Sequence, residues 1–120
     1  MEIKMARGDL EIRTFQIRSP DGQGGSEPFI DELDEIFLTA KKNFNDRNYK
    51  FQKRYTSGDI VPLGNGVYQF RIEPSDTDGL AFGEYDFDIE LLIEGELKKT
   101  FTGKLILTAE STHAYNEVRA

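Results

Sequence analysis

The sequence predicts an all-β fold, an antiparallel sandwich. Two observations carry this. Hydrophobic and polar residues alternate over stretches such as 67–72 and 84–93, the period of strands with one buried face. Clusters rich in glycine, asparagine and proline separate these stretches, with no convincing crossover helix between them. A length of 120 residues fits a single domain, 1–120, whose core needs no metal or disulfide staple. Nine phenylalanines and five tyrosines supply much of the apolar area, and aromatic side chains suit strands.

Along the chain, Leu10 to Ile17 carries hydrophobes at 10, 12, 15 and 17. Their parity changes between Ile12 and Phe15, which predicts a bulge or a bend. Residues 19–28, SPDGQGGSEP, read as a loop with little to bury. The stretch 26–44, SEPFIDELDEIFLTAKKNF, is ambiguous. Phe29, Ile30, Leu33, Ile36, Phe37, Ala40 and Phe44 follow helical spacing, Ser26 is a capping residue, and acids precede bases as a helix dipole favours. On local pattern alone the helix is preferred; the many flanking strands, together with the family resemblance given below, favour the competing strand at Glu35 to Lys42 with Ile36, Leu38 and Ala40 inward. One short helix near residues 29–44 stays open as the alternative.

Tyr49 to Tyr55 alternates with Tyr49, Phe51, Lys53 and Tyr55 on one side. Gly64-Asn65-Gly66 is a strong turn, followed by VYQFRIE with Tyr68, Phe70 and Ile72 on one face. From Glu84 to Ile93, Tyr85, Phe87, Ile89, Leu91 and Ile93 face one way, while Asp86, Asp88, Glu90 and Leu92 face the other. Leu97 to Thr108 then returns after Glu94-Gly95-Glu96. Parity favours pairing Ile93 with Leu97 across a three-residue loop, which sets Ile89 against Phe101, Phe87 against Gly103 and Tyr85 against Leu105. Phe87 would then cover the gap at Gly103.

Composition excludes several classes. Without cysteine there are no disulfides, no thiol catalysis and no thiolate zinc site, as suits a reducing compartment. No apolar run approaches the ~20 residues of a membrane helix, and the start MEIKMARGD does not read as a secretory signal. A net charge of −7 opposes general nucleic-acid binding. The charge is uneven: nine acids and no lysine or arginine lie from Glu73 to Glu96, against six bases and one acid from Lys41 to Arg54. These stretches are either solvated faces or complementary patches for copies and neighbours.

The segment PSDTDGLAFGEYDFDIE, 74–90, holds the most suggestive acids. As a calcium loop counted from Asp76 it fails, because the sixth position is Ala81 and the twelfth Phe87 rather than glycine and glutamate. Asp86, Asp88 and Glu90 share a strand face at spacings that glycosidases use, yet nothing in the sequence predicts a cleft to raise one carboxyl's pKa. An exposed face opposite Thr102 and Lys104 is the simpler expectation. His113, the one histidine, has no nucleophile motif or metal partners beside it. Gly22, Gly24 and Gly25 lack the setting of a phosphate loop. No catalytic, cofactor or metal residue is assigned. In KKNFNDRNYKFQKRY, Phe44, Tyr49, Lys50, Lys53 and Tyr55 form a candidate interaction surface of interleaved bases and aromatics. Strand alternation would instead bury Tyr49, Phe51 and Tyr55.

Four segments in order, MARGDLEIRTFQI, DEIFLTAKKNF with YKFQK, GVYQFRIEPSDTDGLAFGEYDFDIEL, and GKLILTAESTHAYNEV, resemble a family of small tail-region proteins from phages and prophages of Gram-positive bacteria. They are also similar to the N-terminal domain of phage baseplate upper proteins. The third segment is the most specific; residues 19–28 carry none of the likeness. The resemblance implies an immunoglobulin-like β-sandwich and a non-enzymatic structural or interaction role in a tail or baseplate. It implies other tail or baseplate proteins as partners, self-association as a further option, and a virion location after assembly in the bacterial cytoplasm. In such folds a polar turn crosses between sheets and an early tyrosine anchors it. Asp76, Gly79, Gly83 and Tyr85 are the residues for that corner here. A carbohydrate-binding or adhesion module is the alternative function.

Overall fold

The computed structural model describes residues 1–109, apart from the side chains of residues 98–100. Ten strands and one helical turn follow in order: β1 (Glu2–Ala6), β2 (Glu11–Gln16), β3 (Arg18–Pro20), β4 (Ser26–Pro28), β5 (Glu35–Lys41), β6 (Phe51–Arg54), β7 (Ile60–Gly64), β8 (Val67–Ile72), α1 (Pro74–Thr77), β9 (Gly83–Ile93) and β10 (Glu96–Thr108). One sheet has the order β1-β10-β9-β5-β6 and a second has β2-β8-β7; β3 and β4 form a separate ribbon. Side chains from both larger sheets share one buried cluster, so the fold is a β-sandwich of the immunoglobulin-like kind. It is not antiparallel throughout, because β1 runs parallel to β10, with Ile3 beside Leu105 and Met5 beside Leu107.

The alternating strands bury the faces that their periodicity marks. Tyr85, Phe87, Ile89 and Leu91 are buried, as are Tyr68, Phe70 and Ile72. The ambiguous stretch is strand β5, not a helix, with Ile36, Leu38 and Ala40 inside. Tertiary pairing overrides the local helical spacing, since β5 sits between β9 and β6 and both its edges are used. Ile30, which a helix would have turned inward, is 77% exposed.

The β9–β10 register agrees with parity, but by a different route. The loop has two residues, Glu94 and Gly95, with φ of 52° and 78°, and Ile93 pairs with Glu96 rather than Leu97. Positive φ at both positions suits the tight turn that matches strand twist. A bulge between Leu97 and Lys99 then restores the phase, so Ile89 meets Phe101, Phe87 meets Gly103 and Tyr85 meets Leu105. Phe87 does cover Gly103: a Cβ there would come within 2.6 Å of the Phe87 ring.

Three further expectations are corrected. No bulge interrupts β2, which pairs evenly with β8; the parity change arises because Leu10 and Ile12 face solvent. Residues 19–28 are not wholly loop, since β3 and β4 pair around an Asp21–Gly25 turn. Tyr49 lies before β6 and is 54% exposed, outside the alternation that buries Phe51.

Candidate functional site

The acidic segment begins where the chain leaves β8 and crosses to β9 in the other sheet. Pro74 opens the single turn of α1, a position where the missing N–H costs nothing. Asp76 Oδ2 accepts the Glu73 backbone N–H at 2.7 Å and the Lys53 ammonium at 2.6 Å. Thr77 is fully buried, and its hydroxyl oxygen accepts the Gly8 N–H at 2.8 Å, tying the crossing to the β1–β2 link. Gly79 and Gly83 have φ of 84° and 124°, conformations that a side chain would strain. Tyr85 is buried and donates its hydroxyl to the Ala81 carbonyl at 2.7 Å, with the Lys42 ammonium 4.7 Å from the centre of its ring. Asp76, Gly79, Gly83 and Tyr85 therefore lie within one turn-and-anchor structure between the sheets.

The acids of β9 face away from the sandwich core but are not simply wet. Asp86 is 7% exposed, accepts the Lys104 ammonium at 2.5 Å and the Phe44 N–H at 3.1 Å, and lies beside Lys41 in the β5 register. Its hydrogen bond raises the Lys104 pKa. Asp88 is half-buried between Thr39 and Thr102, and its Oδ1 is buried without a hydrogen-bond partner among the described residues. Burial pushes its carboxyl above the ordinary range, opposed by the nearby Lys41 charge. The alternation identified the shared face correctly. It could not show that the segment after β5 folds back over Asp86.

A further carboxylate on this face gives no signal in the sequence. Glu35, at the start of β5, is 4% exposed. It accepts the Thr56 hydroxyl, the Thr56 N–H at 2.9 Å, the Ile36 N–H at 3.1 Å and the Arg54 guanidinium at 3.0 Å. Burial alone would raise its pKa, but these hydrogen bonds outweigh burial and hold it at about 2. Glu35 thereby fastens the turn after β6 to β5. Its partners at 54 and 56 become neighbours only once β5 and β6 pair.

The basic-aromatic set does not form one surface. Phe44, 44% exposed, and Tyr49 lie in the β5–β6 connection, with Lys50 exposed beside them. Lys53 is buried against Asp76, and Tyr55 is half-buried, edge-on to Tyr68. The structure thus removes Lys53 and most of Tyr55 from any open platform. It also joins the basic and acidic stretches internally, through Lys53 to Asp76 and Lys42 to the Glu84 carbonyl at 2.9 Å. Among the described residues no three acidic or histidine side chains cluster in a way that would hold a metal ion. His113 lies outside the described residues.

No protein-family model matches the chain, and no curated protein matches it. Among solved structures it is similar to the X-ray structure of the endo-β-1,4-mannanase from Thermotoga petrophila, with 15% identity and a TM-score of 0.50. That likeness covers 91% of this chain and 18% of the mannanase chain, so it spans under a fifth of that protein. At this identity it speaks to the β-sandwich fold alone.

Proposed function

We propose that this chain is a non-enzymatic structural or interaction module of a phage or prophage tail or baseplate, acting through contacts with other tail proteins. The observation that carries the non-enzymatic part is the condition of the acids. Asp76, Asp86 and Glu35 are each committed to hydrogen bonds that hold strands and turns together. A catalytic pair needs a second, free carboxylate beside the poised acid; Asp88 has the raised pKa, but its strand neighbour Asp86 is already held by Lys104 and the Phe44 N–H. The tail or baseplate part rests on the likeness of the segment IEPSDTDGLAFGEYDFDIEL, which builds the inter-sheet corner, to that family. Co-purification of the tagged chain with products of its flanking genes tests the reading, and recovery of a stable complex with a tail component is expected. Hydrolysis of cell-wall glycan by the purified chain, abolished in Asp88→Asn, would overturn it.

A carbohydrate-binding or adhesion module remains the second reading, because Phe44 and Tyr49 leave aromatic surface open in the β5–β6 connection. A glycan-array screen separates the two. Binding that is lost in Tyr49→Ala favours adhesion, and a blank array favours the structural module.

A further inference from the structure

A cavity of about 270 Å³ opens at one end of the sandwich, between residues 29–33, the Gly64-Asn65-Gly66 turn and Tyr55. Phe29, Tyr55, Tyr68 and Pro62 give it an aromatic and apolar wall, and Asp31 and Glu32 stand at its exposed side. Among the described residues no lysine or arginine lines it. Among the described residues neither Asp31 nor Glu32 has an ion-pair partner, unlike Glu35 and Asp86.

Tyr68 marks this cavity as more than a gap in the surface. It is only 7% exposed, stacked on Phe15 at 5.7 Å between ring centres and met edge-on by Tyr55 at 5.8 Å. Its hydroxyl nevertheless makes no hydrogen bond among the described residues. The Tyr85 hydroxyl is spent on Ala81, whereas the Tyr68 hydroxyl, at the tip of an otherwise buried ring that lines the cavity, keeps access to solvent and so to a ligand. Burial, and then the neighbouring Tyr55, raise the Tyr68 pKa, so the group stays a neutral phenol that can accept or donate a hydrogen bond.

Aromatic walls, unpaired carboxylates and a phenol oxygen together suit a flat cation that carries several N–H groups. A guanidinium stacks on aromatic rings, pairs with carboxylates and donates to phenol oxygen. We propose that this cavity is a binding site for an arginine side chain presented by a different protein. Most of the chain's own arginines are poorly placed to serve from a second copy. Arg7, Arg13, Arg18, Arg54 and Arg71 are each engaged within the molecule. The net charge of −7 also disfavours the approach of like copies while favouring a basic partner. The site stands whether or not the chain belongs to a phage particle.

The test is amide-resolved NMR titration of the full chain with Nα-acetyl-arginine methylamide, against the neutral isostere Nα-acetyl-citrulline methylamide. Saturable shifts are expected at residues 29–33 and 64–68, with the citrulline compound binding at least about tenfold more weakly because the charge-assisted bonds are lost. Tyr68→Phe keeps the ring and removes the hydroxyl, and should weaken arginine binding about fivefold. Asp31→Asn with Glu32→Gln, on exposed positions that leave the fold intact, should weaken it at least as much. Equal response to both compounds, unsaturable shifts, or shifts elsewhere would overturn the proposal. Shifts at the same amides on raising protein concentration alone would assign the cavity to a second copy and overturn the different-protein assignment.

Discussion

Glu35 and Asp88 occupy the same outward face of the five-stranded sheet, on adjacent strands, and have opposite fates. Glu35 is surrounded by donors from Arg54, Ile36 and Thr56, and its pKa falls to about 2. Asp88, opposite Thr39 and Thr102, keeps a buried oxygen without a donor among the described residues, and its pKa rises. Both lose water; one recovers its hydrogen bonds and the other does not. Satisfaction rather than burial decides which form of an acid the fold favours.

The largest expected effect sets a scale from the opposite face. Phe87→Ala empties the space over Gly103 and should cost about 3–5 kcal/mol in chemical denaturation. A loss below about 1 kcal/mol would mean that the inner face is not the core. Glu35→Ala comes next, at about 3 kcal/mol, because it strands the Thr56 and Ile36 donors and frees the turn after β6. If it costs no more than an exposed substitution, the contrast with Asp88 fails on its satisfied side.

Acid titration sharpens the contrast. Because Glu35 has a lower pKa folded than unfolded, its contribution is complete above the ordinary carboxylate value of 4.5 and is lost as pH falls toward about 2. That difference corresponds to at most about 3 kcal/mol. Glu35→Gln should flatten the stability profile across this window. Asp88 has the reverse sign: its raised folded pKa means that stability falls as pH climbs through the window above its unfolded value.

Smaller effects follow. Tyr85→Phe removes the hydrogen bond to Ala81 while keeping the ring, and should cost about 1 kcal/mol. Asp88→Asn should be neutral to slightly stabilising at neutral pH, within about 1 kcal/mol, since it relieves the charge that burial penalises. A clear destabilisation there would show that Asp88 has a donor in solution.

The sandwich was legible where pattern and pairing are local. Alternation at Tyr85, Phe87 and Ile89 marks the buried face, and parity places Phe87 over Gly103 even though it implies a three-residue loop where two residues and a bulge are found. Strand β1 is not legible in the sequence because Ile3 and Met5 are two hydrophobes in a charged stretch, and their partners Leu105 and Leu107 lie about a hundred residues away. Periodicity alone makes Asp86 look wet, because it shows which residues share a face, not what folds across it. Glu35 gave no signal, since one glutamate before an apolar run looks like surface until Arg54 and Thr56 arrive. The corner around Tyr85 was suggested by a family resemblance, whereas the cavity beside Tyr68 depends on three segments that no local pattern links.

The most direct measurement is an NMR titration of the side-chain carboxyl carbons of Glu35 and Asp88 in the native protein. The account predicts that Glu35 titrates near 2, well below 4.5, while Asp88 titrates above its ordinary 3.8. Ordinary values at both positions, or the reverse order, would contradict it.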